Sequence, residues 1–190
     1  LVLGADERLE LLAATSHAVS ELEAYQCQRD QGPCVDAVRS GEPVAAADEV
    51  EIVSRWPDVG PVIVASGYGS VHAAPLRWLD RTYGGFNLFF DDRTELHPDL
   101  EAATRALADT ATLVIVTSGS TDPGSITATL VEALAGRAVV EQAKGALAHL
   151  RDLDMAGAFA ALRVEAEAAG VPLGEAARAV VERARLGRMT

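Results

Sequence analysis

The feature that most constrains the fold is a change of character along the chain at a turn-rich stretch, Thr117–Ser125. This stretch combines Gly, Pro, Ser, Thr and Asp, residues that interrupt helices and strands. Residues 126–190 are alanine-rich and contain no strand-like run, whereas both helix and strand patterns precede the stretch. We therefore predict an α+β chain with a first domain over residues 1–118, a hinge over 119–125 and an all-helical domain over 126–190.

The first domain contains both strand and helix signals. Its clearest strand signal is a hairpin, in which Val71–Trp78 and Thr82–Phe90 are rich in β-forming residues and Leu79–Arg81 supplies the turn. Further strands are predicted at Arg8–Thr15 and, over a shorter stretch, at Pro43–Ala47. The first of these begins so close to residue 1 that we expect the domain to be clipped at its N-terminus. Helices are predicted at Ala18–Gln26, Pro33–Ser40, Asp58–Ser66 and Pro98–Thr117.

The last of these helices is predicted from its periodicity. Apolar or small residues recur at helical spacing at Leu100, Ala103, Leu107, Thr110, Ala111 and Val114. Its end, Leu113–Val116, is a continuous apolar run. We expect this end of the helix to be buried.

Three helices are predicted in the second domain. The first, Ile126–Asp152, is far longer than the others. The second, Met155–Ala169, begins behind a capping Asp154 and ends at Gly170. The third, Pro172–Arg185, begins with a proline at or near its first turn. The three helices should form a small bundle with one extended helix.

Charge is distributed unevenly between the two domains. Residues 1–125 carry 8 basic and 20 acidic side chains, whereas residues 126–190 carry 8 of each. An acidic surface repels phosphate, so any nucleic-acid contact has to come from a local cationic patch in the second domain. The chain has no apolar run of membrane-spanning length and no signal peptide, and we expect it in the cytoplasm.

Two motifs of the second domain carry a family resemblance. They lie within Arg137–Leu147 and Ala158–Ala166, and their most specific pieces are Ala143-Lys144-Gly145, Ala158-Phe159 and Leu162-Arg163. Over about Leu130 to Val181 the chain resembles the ANTAR module, an RNA-binding three-helix domain of bacterial transcription antiterminators. The resemblance implies recognition of paired RNA stem-loops. Two stem-loops call for two modules, hence a homodimer, whose interface could use Leu130 and Leu134 unless these residues belong to the core.

The first domain resembles a GAF domain of the kind that precedes ANTAR modules in actinobacteria. The resemblance covers roughly Leu11 to Val116, without the N-terminal helix usually expected. It is carried by four motifs, Gln31-Gly32-Pro33-Cys34, Arg55-Trp56-Pro57, Ala74-Pro75-Leu76-Arg77 and Gly84-Gly85-Phe86-Asn87-Leu88. It implies an antiparallel sheet flanked by helices, and a sensory role.

Lys144 is the first candidate for RNA contact under the ANTAR resemblance. It is the only lysine of the chain. An exposed lysine beside the small residues Ala143 and Gly145 could approach a phosphate, and the small neighbours would let RNA or another helix come close. Arg137 and Arg163 complete the predicted RNA-binding set.

Alternative interpretations of the same residues remain open. Arg137, Glu141 and Lys144 lie on one helical face and could form only ion pairs. The stem of Arg163 could cover the ring of Phe159, four residues earlier. The remaining basic residues would supply generic phosphate contacts or solvated helix ends; they are Arg178, Arg183, Arg185 and Arg188.

A ligand pocket is the corresponding candidate in the GAF-like domain. Its predicted lining is Cys34, Trp56, His72, Phe86 and Leu88, although such residues are usually core. Reduced cysteines, with Cys34 buried, are the expected state; the alternative is a redox switch between Cys34 and Cys27, in which the start of a helix would lower the pKa of the Cys34 thiol. The ligand is unknown, no cofactor is indicated, and the scattered histidines predict no metal site.

No catalytic motif stands out in the chain. A nucleophile elbow, a phosphate-binding glycine loop and HExxH are all missing, and we expect no enzymatic activity. The sequence predicts a regulator in which a signal acts on the GAF-like domain and the ANTAR-like helices hold RNA hairpins that prevent a terminator from forming. A protein-protein adaptor and a DNA-binding helix-turn-helix protein are the alternatives.

Overall fold

The computed structural model of the protein describes residues 1–4, 6–95, 97–117 and 123–187. The chain divides into two compact units, Leu1–Val131 and Glu132–Thr190. In chain order the elements are β1 (Val2–Leu3), β2 (Leu9–Glu10), α1 (His17–Arg29), α2 (Pro33–Ser40), β3 (Val44–Ala46), α3 (Glu49–Arg55), α4 (Gly60–Ala65), β4 (Ser70–Trp78), β5 (Arg81–Phe90), α5 (Pro98–Thr117), α6 (Pro123–Arg151), α7 (Met155–Ala169) and α8 (Leu173–Arg185). Within the described ranges, no helix has the length and apolarity needed to cross a membrane.

One antiparallel sheet organises the first unit, with the strand order β2-β1-β5-β4-β3. Its longest pairing is the β4–β5 hairpin, which runs from Ser70 opposite Phe90 to Trp78 opposite Arg81. The predicted hairpin is confirmed, although Arg81 belongs to β5 and the turn is shorter than expected. The sheet and its flanking helices confirm the α+β class. The predicted strand Arg8–Thr15 is reduced to the two residues of β2.

Different helices cover the two faces of this sheet. On one face, Val71 packs in a core with Leu22 of α1, Ile52 of α3 and Trp56. Helix α2 lies on the same side, since a Cβ added at Gly85 would lie 2.4 Å from the sulfur of Cys34. Side chains alternate along a strand, so the neighbouring positions of β4 and β5 face the other side, where α5 contacts β4.

Helix α5 has the predicted bounds but buries an unexpected side. Leu113 and Val114, predicted as part of a buried end, are 52% and 59% exposed, and Leu107 is 50% exposed. The buried positions are Thr104, Ala108, Thr112 and Val116. The two buried threonine hydroxyls donate to the carbonyl oxygens four residues earlier, at 2.8 Å. The predicted buried end is therefore confirmed for Val116 and wrong for Leu113 and Val114. Thr112 is buried in their place, because threonine can satisfy its hydroxyl within the helix and then pack as a small side chain.

Helix α3 was not predicted, although the sequence contains a signal for it. The side chain of Asp48 accepts a hydrogen bond from the backbone nitrogen of Glu51. The carboxylate of Glu51 in turn accepts one from the backbone nitrogen of Ala47 at 2.9 Å. This reciprocal arrangement resembles a capping box, in which an acidic residue three positions after the cap marks a helix start.

The second unit is helical, as predicted. Helix α7 has the predicted bounds, with Asp154 accepting from the Gly157 nitrogen at 2.7 Å and Gly170 in the left-handed region at φ 64°. Helices α6, α7 and α8 share a core of small and branched side chains, Ala143, Leu147, Ala158, Leu162, Ala166, Ala176, Ala177 and Val180. Helix α6 already begins at Pro123, so residues 123–125 of the predicted hinge are helical. Residues 118–122 lie outside the described residues.

Candidate nucleic-acid interface

Lys144 lies at the edge of the second unit's core and already has an acidic partner. Its ammonium group donates to both carboxylate oxygens of Glu141, at 2.9 and 3.0 Å. The same nitrogen lies 5.9 Å from the ring centre of Phe159. The Lys144 side chain is only 16% exposed. The expectation of an exposed lysine is therefore wrong, and the Glu141 carboxylate, one helical turn away, balances the charge of the ammonium group.

Phe159 and Arg163 form the outer part of the same region on α7. Phe159 is 39% exposed. Arg163, one turn later, is 62% exposed and its guanidinium lies 3.6 Å from the Glu167 carboxylate. The cation found over the Phe159 ring is Lys144, rather than the Arg163 considered from the sequence. Arg163 therefore remains accessible to solvent.

The small residues beside Lys144 have different positions. Ala143 is fully buried in the helical core, so its side chain cannot contact RNA and that prediction is wrong. Gly145 is exposed, and a Cβ added to it would meet no atom within 4 Å. Glycine inside a helix costs about 1 kcal/mol relative to alanine, and packing within the described structure does not explain it. Gly145 thus leaves open backbone at the surface of α6.

The other basic residues of the second unit divide into paired and unpaired groups. Arg137 is half-buried, while Arg178 and Arg185 are exposed; none of the three forms an ion pair with a residue that the structure describes. Arg188 lies outside the described residues. Positive charge without an acidic partner is therefore spread over α6 and α8 instead of forming one dense patch.

Glu165 was missed by the sequence reasoning. Its carboxylate, 25% exposed, accepts from Arg151 of α6 at 2.5 Å and also from Arg183 of α8. It therefore ties the three helices together, and Arg183 is engaged in structure rather than free for phosphate. Its position beside the buried Ala166 was the available signal, because an acidic residue at the edge of an apolar helix face can reach basic residues on the neighbouring helices.

The predicted ligand pocket of the first unit does not form. Cys34 and Trp56 lie on the α2 side of the sheet, where the Trp56 indole donates to Asp36 at 2.9 Å. His72, Phe86 and Leu88 lie on the opposite face, because His72 pairs with Leu88, and Phe86 is two positions away on the same strand. A sheet separates the two groups, so these five residues cannot line one pocket, and the prediction is wrong.

The cysteines lack the properties of a redox switch. Both are free thiols. Burial raises the pKa of Cys34 to about 12 and that of Cys27 to about 11. The structure favours the buried, reduced cysteine over the redox alternative, since loss of hydration outweighs any effect of the helix start for this fully buried thiol. Among the described residues, no group of His, Cys, Asp or Glu side chains could hold a metal ion.

A different cavity is present in the first unit. It has a volume of about 630 Å³. Its lining is mixed: four residues are apolar, Leu3, Leu9, Val35 and Val38, and the others are polar or sulfur-containing, Glu7, Arg8, Cys27, Gln28, Asp30 and Arg39. Sequence patterns could not reveal this cavity, because it depends on how the short β1–β2 pair sits beside α1 and α2.

Comparison with known proteins supports the interpretation of the helical region. The ANTAR domain family matches residues 128–181, which include the Lys144, Phe159 and Arg163 positions. ANTAR domains are RNA-binding modules of transcription antitermination regulators. No curated protein and no solved structure proved similar to the chain.

Proposed function

We propose that this protein is a signal-responsive, RNA-binding regulator of transcription antitermination that acts in the cytoplasm as a homodimer. Its ANTAR region binds RNA stem-loops, and a GAF-like first domain receives the signal. The observation that carries the proposal is the ANTAR family match over residues 128–181. No enzymatic step is part of the proposed function.

The RNA-binding face would be the one formed by α6 and α7 around Lys144. Gly145 offers exposed backbone there, and Arg163 offers an accessible guanidinium. Phosphate can bind Lys144 by sharing its ammonium group with Glu141, which costs part of the electrostatic gain. Arg137 lies on the same helix without an acidic partner among the described residues and would add to the local positive potential.

RNA recovered after crosslinking in the protein's own cells tests this function. We expect the recovered RNAs to contain paired stem-loops and to bind the full chain with an affinity that falls as salt is raised. Duplex DNA that competes equally well would favour the DNA-binding alternative. The absence of any salt-sensitive RNA binding would favour the adaptor alternative.

The sensory role of the first domain draws support from its cavity. A volume of about 630 Å³ lies within the range typical of small-molecule sites. Four apolar and four charged side chains line it, so a ligand with both apolar and charged parts would fit it best. In a screen of small metabolites, a ligand of this cavity should raise the Tm of the wild-type chain. It should not raise that of Leu9→Trp, in which the larger side chain occupies the space. A ligand that stabilises both proteins equally binds elsewhere.

The argument for a homodimer is that paired stem-loops present two binding sites, and each site needs one ANTAR module. Leu130 and Leu134, considered for its interface, are 2% and 8% exposed in the single chain. They therefore offer little area to a partner, and any interface would use other residues. Sedimentation of the full chain should give twice the chain mass of 19.9 kDa. A monomer that binds paired stem-loops with full affinity would contradict this part of the proposal.

A further inference from the structure

Phe159 is the only aromatic residue after Phe90 in the sequence, and it stands partly in solvent. The preceding residue, Ala158, is fully buried in the core of the second unit, so Phe159 lies to the side of the buried face of α7. A ring that faced the core would contribute much more buried apolar area, since aromatic side chains bury large areas when enclosed. The helix instead presents an aromatic surface next to basic side chains.

One side of this ring is covered by a held cation. The Lys144 nitrogen lies 5.9 Å from the ring centre and is fixed by the two bonds to Glu141. A cation over an aromatic face is attracted by the negative charge of that face. Lys144 therefore limits the motion of the ring from one side, while 39% of Phe159 stays accessible to solvent.

The surroundings of the exposed part of the ring fit a nucleotide. Arg163 lies one helical turn along α7 and is 62% exposed, so it can reach a phosphate while a base contacts the ring. Aromatic side chains beside cations are the usual platform for unstacked bases. Bases in a paired stem are stacked on each other and do not offer a free face, whereas loop bases do.

We propose that Phe159 stacks against one unpaired base in the loop of the bound RNA, with Lys144 as a positioning residue that holds the ring from the other side. This inference rests on the proposed function, because it specifies which part of a stem-loop the ANTAR face reads. It assigns loop recognition to Phe159, and stem or backbone attraction to the neighbouring arginines.

The probe for this proposal is an RNA hairpin with a GC-rich stem and a randomised loop, from which the tightest-binding loop is selected with the full wild-type chain. Each loop base is then replaced in turn by 2-aminopurine, whose fluorescence is quenched by stacking. Phe159→Leu removes the aromatic ring and keeps an apolar side chain. Phe159→Tyr keeps the ring, and Val164→Ala is the matched control at another exposed apolar position of α7, 63% exposed.

The expected result is quenching at one loop position by the wild type and by Phe159→Tyr, and its loss in Phe159→Leu. Phe159→Leu should weaken hairpin binding about tenfold, and this effect should vanish when the same loop position is made abasic. Val164→Ala should leave affinity unchanged. If Phe159→Leu fails to fold, the proposal is still overturned by a wild type that shows no quenching or that binds the intact and the abasic hairpin equally well.

Two results would overturn the proposal. One is an equal loss of affinity in Phe159→Leu for the hairpin and for a fully paired duplex of the same stem, which would make the role structural. The other is unchanged hairpin affinity with no quenching at any loop position, which would leave the ring for a protein contact. If the wild type binds no hairpin at all, the proposed function itself fails; binding that depends on Arg163 but not on Phe159 overturns only this inference.

Discussion

In the first unit the chemically versatile side chains are buried, whereas in the second unit they remain partly at the surface. Cys34, Trp56 and His72 are at most 1% exposed. Phe159 is 39% exposed and the Arg163 side chain 62% exposed. In a domain whose sheet is packed on both faces, the presence of cysteine, tryptophan or histidine is therefore a poor indication of a functional site. Residue type is a better guide on a small helical bundle whose core is made largely of alanine and leucine.

The largest expected effect tests whether the first unit depends on its buried side chains for stability. Trp56→Ala removes the largest fully buried side chain and its hydrogen bond to Asp36. We expect the free energy of unfolding of this unit to fall by about 3–5 kcal/mol, because a large cavity is created. Urea denaturation followed by circular dichroism measures the change. A loss below about 1 kcal/mol would show that Trp56 is not a core residue.

The corresponding change in the second unit should leave the first unit unaffected. Leu162→Ala opens the core shared by α6, α7 and α8 and should cost about 3 kcal/mol. Both tryptophans of the chain, Trp56 and Trp78, belong to the first unit. We therefore expect Leu162→Ala to lower the stability of helical structure and to impair RNA binding, while the unfolding midpoint seen by tryptophan fluorescence stays unchanged. A matching shift of the fluorescence midpoint would mean that the units unfold together.

A smaller effect concerns pH and the buried His72. Burial lowers the His72 pKa below its usual 6.5, and this effect outweighs the backbone of Thr94, which acts in the opposite direction. As pH falls, His72 is therefore protonated in the unfolded chain before it is protonated in the folded one. Stability is lost as pH falls below about 6.5 and is retained above it. We expect the difference in unfolding free energy between His72→Phe and the wild type to grow by about 1.4 kcal/mol per pH unit in that range.

Glu23 has to be separated from this effect. Its pKa is raised by burial, so it responds in the opposite sense over part of the same range. Its contribution is the same in both proteins and cancels in the difference between His72→Phe and the wild type. A difference that does not change with pH would show that His72 is not held neutral by the fold.

The elements that sequence reasoning placed correctly are those fixed by local chemistry. Helix α2 begins with Pro33 in its first turn and ends at Gly41 in the left-handed region, and α7 is bounded by Asp154 and Gly170. Caps and prolines act within a few residues, so the sequence alone reveals them. The strand pairing of the hairpin is likewise signalled locally.

The failures concern which of several possible partners a side chain takes and which face of the sheet it packs on. The exposed side of α5 could not be predicted from apolar spacing. The hydroxyl of Thr112 donates to the Ala108 carbonyl oxygen, and this bond lets a polar residue take a buried position. The five-residue pocket failed because the sheet lies between Cys34 and His72. The position of Lys144 on one helical face was predicted, but the choice between an ion pair and a free cation depends on geometry that spacing does not fix.

The central claim is that the second unit binds RNA through the face around Lys144. The most direct test of it is RNA affinity measured as a function of salt concentration. The proteins to compare are the full wild-type chain, Lys144→Gln and Arg29→Gln. Arg29 is the matched control, since it is also ion-paired, to Asp58 at 2.7 Å, but lies in the first unit. We predict that Lys144→Gln binds a recovered stem-loop about fivefold more weakly and lowers the salt slope by up to about one, whereas Arg29→Gln matches the wild type. Identical affinities and slopes for all three proteins would contradict the account.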